Sequence, residues 1–166
     1  GTLNDSDGIL NNLLINIFLN DDPWILYEDW FNLSWKYRIP IEINNYNQEL
    51  TNYQINLTID TSTPITEGKM NSSCSDIRFA DNNSNEIPYW IEDQRCNISS
   101  TPIWVKINST AGTNGTIYMY YGKEGVESKS NVTKIFDFYD DFLDQELDSW
   151  DVVDESYTIS NGIFEG

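Results

Sequence analysis

Asparagine followed two residues later by serine or threonine is the acceptor triplet for N-linked glycosylation. The chain has nine such triplets, at Asn4, Asn32, Asn56, Asn71, Asn82, Asn97, Asn108, Asn114 and Asn131. Random placement of Ser and Thr around its asparagines would give about three. An Asn-rich, AT-biased genome raises the asparagine count but does not set a hydroxyl residue two places on, so the enrichment points to glycosylation and an exported surface protein. The only cysteines, Cys74 and Cys96, fit the same compartment. One precedes a predicted strand and the other follows the next, and antiparallel neighbours would bring them together as a disulfide at one end of a sheet. The alternative is two free core thiols. Two thiols without any histidine do not make a typical zinc set.

Carboxylates are abundant, and Asp140 with Asp141, or Asp144 with Glu146, can be drawn as the acid and base of a glycosidase. That chemistry needs a pocket that drives two pKa values apart, whereas these residues lie in a hydrophilic acidic run with no apolar wall. No catalytic residue is assigned, and an enzyme is not expected. The same oxygens suit calcium, which accepts six to eight oxygen ligands in loose geometry. Its candidate ligands are Asp137, Asp140, Asp141, Asp144 and Asp148, without EF-hand spacing; no cofactor is required. The absence of histidine excludes a Ser-His-Asp or Cys-His arrangement. Trp90, Trp104, Tyr118 and Tyr120 fall on sheet faces where a row of rings could stack on sugar, although core packing is the commoner use of such rings.

Charge narrows the partners. Residues 1–34 carry six acids and no Lys or Arg, 35–135 carry eleven acids against nine bases, and 136–166 carry ten acids and no base, which makes the net −18. Such a field repels nucleic acid and anionic lipid. Aromatics at 14% suffice for a packed core, and the mean hydropathy of −0.49 reflects a polar shell. No apolar run reaches the roughly 18 residues that a membrane helix needs. Leu10 to Leu19 is too short, and no basic region precedes it, so an exported chain is expected to have lost its leader.

The elements that must position these residues are strands. Asp76–Asp81, Glu86–Glu92 and Pro102–Ile107 each alternate between two kinds of face, and three in a row predict one sheet with one side in a core, its first turn formed by Asp81–Asn85. Tyr37, Ile39, Ile41 and Ile43 form another inward row, with Pro40 favouring an edge or an outward-pointing amide. Tyr53, Ile55, Leu57 and Ile59 repeat it with Asn56 outward, and Thr116–Tyr121 gives a last strong strand; Pro64–Gly68 is read as loop. In the N-terminal arm, Ile9, Leu10, Leu13, Leu14, Ile17 and Phe18 have helical spacing, yet Ile15–Leu19 reads equally as a strand. Asn161-Gly162, between Tyr157–Ile159 and Ile163–Phe164, is the strongest hairpin signal.

The order of these runs, WKYRIPIEINN, LTNYQINLTIDT, CSDIRFADNNSNEIPYWIED, TPIWVKI and GTIYMYYGKEGVESKSN, resembles domain-of-unknown-function family 2341 over about residues 35–135. That family occurs in large secreted and cell-surface proteins of archaea and bacteria. The resemblance implies a β-sandwich and a surface setting, with no assigned chemistry. The run FDFYDDFLDQELDSWDVVDESYTISNGIFEG looks like the opening of a concanavalin-like lectin fold, too short to complete one. Either the chain is a fragment or its last strands finish another sheet.

The expectation is therefore an all-β, antiparallel, jelly-roll-like β-sandwich at 35–135. An arm at 1–34 is a short helix or a donated strand, and an acidic segment at 136–166 completes a sheet or opens a second sandwich. The expected role is structural, in an extracellular filament or surface layer of archaeal style. Copies of the chain would join head to tail as Ile9, Leu10, Leu13, Leu14, Ile15, Ile17, Phe18 and Leu19 of one add a strand to the sheet of the next. The alternative is a carbohydrate-binding or adhesion module that reads surface glycans.

Overall fold

The computed structural model describes residues 13–17, 31–45, 48–140, 158–160 and 163–165. The chain divides into two compact units, Gly1–Ile135 and Phe136–Gly166. In the first, β1 (Leu13–Ile17), β2 (Tyr37–Asn45), β3 (Leu50–Ile59), β4 (Arg78–Asp81), β5 (Glu86–Ile87), β6 (Tyr89–Ile91), β7 (Thr101–Ser109) and β8 (Thr113–Tyr121) build two antiparallel sheets. Their orders are β1-β2-β8-β4-β5 and β3-β7-β6. This is the β-sandwich that the alternating patterns predict. In the second unit, β9 (Thr158–Ser160) and β10 (Ile163–Glu165) pair antiparallel across Asn161-Gly162, at the predicted hairpin.

The core lies between the sheets. Ile39, Ile41 and Ile43 of β2, Phe79 of β4, and Ile117, Met119 and Tyr121 of β8 pack against Ile55, Leu57 and Ile59 of β3, Tyr89 and Ile91 of β6, and Ile103, Val105 and Ile107 of β7. Each is one of every second residue in its strand, since successive side chains leave opposite faces of the pleat.

Four expectations change. The arm is a strand over Leu13–Ile17, so the helical alternative is ruled out there; Ile9, Leu10, Phe18 and Leu19 lie outside the described residues. The predicted single strand Glu86–Glu92 splits at Pro88 into β5 on one sheet and β6 on the other, so the three central runs do not share a sheet. Proline has no N–H to continue a ladder, and the chain turns the sandwich corner at that residue. The strand Arg78–Asp81 has both faces covered: Arg78 and Ala80 are buried on the side away from the core. Finally, Ser62–Thr66 forms a short helix, α1, where loop was expected from Pro64 on.

The start of α1 is held by Asp60, whose carboxylate accepts from the N–H and hydroxyl of both Ser62 and Thr63. The Thr63 hydroxyl leads in holding the carboxyl below its ordinary 3.8. Asp60→Ala is expected to lower stability by about 1 kcal/mol, as loss of a helix-start acceptor does. The contribution is whole above 3.8 and is lost as the pH falls through the lower folded value. Urea unfolding of both proteins at neutral and acid pH checks it.

Pro40 has its predicted consequence in a different place. β2 is second from the sheet edge, but β1 covers only Ile41–Asn45 and its ladder stops beside Pro40.

Candidate functional site

A strand edge is a row of main-chain donors and acceptors that another chain can use, so the four outer strands decide where a partner strand can add. β5 has two residues and ends at Pro88. The outer side of β6 is occupied: the Ser130 hydroxyl accepts from Ile91 N–H at 2.8 Å, and Asn131 N–H donates to Tyr89 O at 3.0 Å. Two longer edges remain. β1 forms one border of the five-stranded sheet through five pairs, from Leu13↔Asn45 to Ile17↔Ile41. β3, ten residues long, borders the three-stranded sheet and pairs only with β7 among the described residues.

The phase of the β3 edge follows from β7. Lys106 N–H donates to Pro88 O, away from β3, so Gln54↔Lys106 is a non-hydrogen-bonded pair, as are Asn56↔Trp104 and Thr58↔Pro102. Gln54, Asn56 and Thr58 therefore turn their main-chain groups outward. The strand is interrupted near its start by a bulge between Leu50 and Tyr53. There Asn52 takes φ of 51°, and its N–H is accepted by Asn108 Oδ1 at 2.8 Å. Asparagine tolerates this left-handed conformation better than most residues.

Eight of the nine acceptor asparagines are described; Asn4 is outside the described residues. Asn32, Asn71, Asn82, Asn97, Asn108, Asn114 and Asn131 are exposed and Asn56 is half-buried. At Asn32, Asn71 and Asn131 the side-chain oxygen accepts the N–H of the Ser or Thr two residues on, each at 2.9 Å. At Asn71 and Asn131 it also accepts that residue's hydroxyl. N-linked glycosylation would use Nδ2, and in none of the eight does that nitrogen donate a hydrogen bond among the described residues. Asn45 and Asn85, which are not acceptors, do spend Nδ2, on Gln48 and Ser109 and on Asp81.

Cys74 and Cys96 are disulfide-bonded, with Cα atoms 5.9 Å apart. The bond does not join neighbouring strands of one sheet, as the sequence reading had it. It ties the loop before β4, in the five-stranded sheet, to the β6–β7 loop of the other, because Pro88 sends the intervening chain across the sandwich.

The four aromatic candidates do not form one row. Trp90 and Trp104 are half-buried cross-strand partners on the outer face of the three-stranded sheet. Tyr118 and Tyr120 lie on the outer face of the five-stranded one, tilted 50° to each other, and Tyr120 is fully buried. With Trp35, Ala80, Phe31, Tyr118 and Val126, it forms a second apolar cluster. Of the calcium candidates, Asp137 and Asp140 are described and Asp141, Asp144 and Asp148 are not. Among the described residues no three carboxylate or thiol side chains gather as a metal site. No described helix is long and apolar enough to cross a membrane.

The alternation of residues 76–81 did not disclose two buried charged side chains, Asp76 and Arg78, each with its own partners. Asp76 accepts the N–H groups of Asn71 and Gly122. Gly122 sits at φ of 86°, where a Cβ would lie 2.6 Å from the Tyr37 ring, so no other residue fits without displacement. Arg78 donates to the carbonyls of Ser75, Ile77 and Glu127 and to the Tyr89 hydroxyl, and lies 5.2 Å from the centre of the Trp35 ring. The available signal was Arg78 at an outward position beside an aromatic-rich approach segment.

The family model described as Domain of unknown function (DUF2341) matches residues 73–153. The chain is similar to that family from the loop before β4 through β8 and past Ile135 into the second unit. The match begins later than the resemblance read at 35–135 and extends to residue 153; no finding supports the lectin opening expected of 136–166. No curated protein and no solved structure matches the chain.

Proposed function

We propose that the chain is a non-enzymatic extracellular structural module that bears N-linked glycans and assembles with copies of itself by β-strand addition. The observation that carries this reading is the place of β1: the first described strand, at a sheet border, laddered only to β2 among the described residues. The same five pairs can be made by the arm of another copy. Residues 18–30 alone span roughly 40 Å when extended, enough for the arm to leave its own sheet. An arm passed from copy to copy makes a head-to-tail contact that does not close and therefore propagates. The extracellular setting is supported by the disulfide and by acceptor asparagines that reach the surface with Nδ2 unengaged.

Removing residues 1–20 is expected to convert oligomers or filaments into folded monomers that bind a peptide of residues 9–20. Native mass spectrometry and electron microscopy read the assembly, and circular dichroism reads the fold. A full chain that stays monomeric at every concentration, or a truncated one that assembles as before, overturns the reading.

A carbohydrate-binding module is the second reading, favoured by Trp90 lying across from Trp104. Burial of Tyr120 removes one of its four rings, and saturable binding on a glycan array would bring it forward.

A further inference from the structure

The outer face of the three-stranded sheet puts an acceptor asparagine and two tryptophans in one line. Asn56 of β3 stands opposite Trp104 of β7, which stands opposite Trp90 of β6. The first pair is of the non-hydrogen-bonded kind, as the Lys106 N–H to Pro88 bond requires, and in such pairs the two side chains approach most closely. Asn56 makes no side-chain hydrogen bond among the described residues, and Thr58, which completes its triplet, is exposed. Both indoles have other contacts, and both are only half-buried, so part of each side chain still meets solvent.

We infer that the glycan on Asn56 lies along the sheet over Trp104 towards Trp90, an intramolecular sugar-on-indole contact built into the three-stranded sheet. A sugar attached through Nδ2 begins within one side-chain length of the Trp104 ring. Pyranose rings have one face of axial C–H groups with slight positive charge, and the indole face is negative, so the two stack with both apolar surfaces leaving water. The inference rests on the glycoprotein part of the proposed function.

The test uses the full chain secreted from a host that N-glycosylates, with glycopeptide mapping, melting curves and NMR of the 13C-labelled glycan. Asn56 is expected to be occupied, and the protons of its first sugars to be displaced upfield by the indole ring current. Asn56→Gln and Thr58→Ala, which remove the sugar by different routes, are each expected to lower Tm by roughly 2–4 °C. Neither is expected to lower it further in a Trp104→Leu background. An occupied Asn56 with undisplaced sugar protons, or with the same Tm loss in both backgrounds, overturns the inference and leaves the glycoprotein reading standing. An empty Asn56 beside other occupied acceptors also overturns it. A chain with no acceptor occupied overturns both.

Discussion

Arg78→Ala is expected to lower the unfolding free energy by about 3 kcal/mol, as breaking a buried hydrogen-bond network does. Arg78 is only 5% exposed, and its guanidinium serves three carbonyls from two segments: Ser75 and Ile77 before β4, and Glu127 in the segment after β8. Truncation leaves those carbonyls without their donor inside the protein, where each unsatisfied group costs about 1–3 kcal/mol unless water enters. It also removes one of the two cations over the Trp35 ring, which belongs to the second apolar cluster and keeps Lys123 at 5.4 Å. Urea unfolding measures the loss, and a change below about 1 kcal/mol would show that water replaces the guanidinium.

The same variant alters a titration. Burial raises the Tyr89 hydroxyl above its ordinary 10.0, and nearby Arg78 works against that rise. Because the folded value is raised, the contribution of Tyr89 is whole below 10.0 and drains away as the pH climbs towards the folded value. Without Arg78 the folded value moves higher still.

Reduction of the disulfide, or Cys74→Ala with Cys96→Ala, is expected to cost roughly 3 kcal/mol, or about 10 °C in Tm. The bond closes a loop with a sequence separation of 22, and opening it returns that freedom to the unfolded chain. The double substitution is the safer form, since it leaves no unpaired thiol. Differential scanning calorimetry with and without reductant reads the difference. Equal melting temperatures would mean that the packing of Cys74 in the core, together with the surrounding loops, holds the two sheets without the bond.

The strands with one polar and one apolar face were legible because a period of two is written directly into Tyr37–Ile43, Tyr53–Ile59 and Ile117–Tyr121. What alternation cannot carry is the identity of the partner. Residues 86–92 keep their pattern across Pro88, so the sequence shows one strand where the chain makes two, in different sheets. The burial of Arg78 was not legible because its neighbours in sequence are silent about Trp35 and Glu127, which reach it from distant segments. The arm stayed ambiguous between helix and strand because its apolar residues suit either period; pairing with β2 decides it. The acceptor asparagines were fully legible as triplets, but only the register showed that Asn56 faces Trp104.

The Pro88 corner lies inside the ring closed by Cys74 and Cys96, and this bears on how the chain finds its fold. With the ring formed, β4, β5 and β6 are confined near one another before any sheet is complete. The slow encounter is then β2 with β8, between which β3 to β7 intervene, because closing long loops precedes the reward of pairing. Refolding of the oxidised and reduced chains should differ less in rate than in final stability, since that distant pairing limits both.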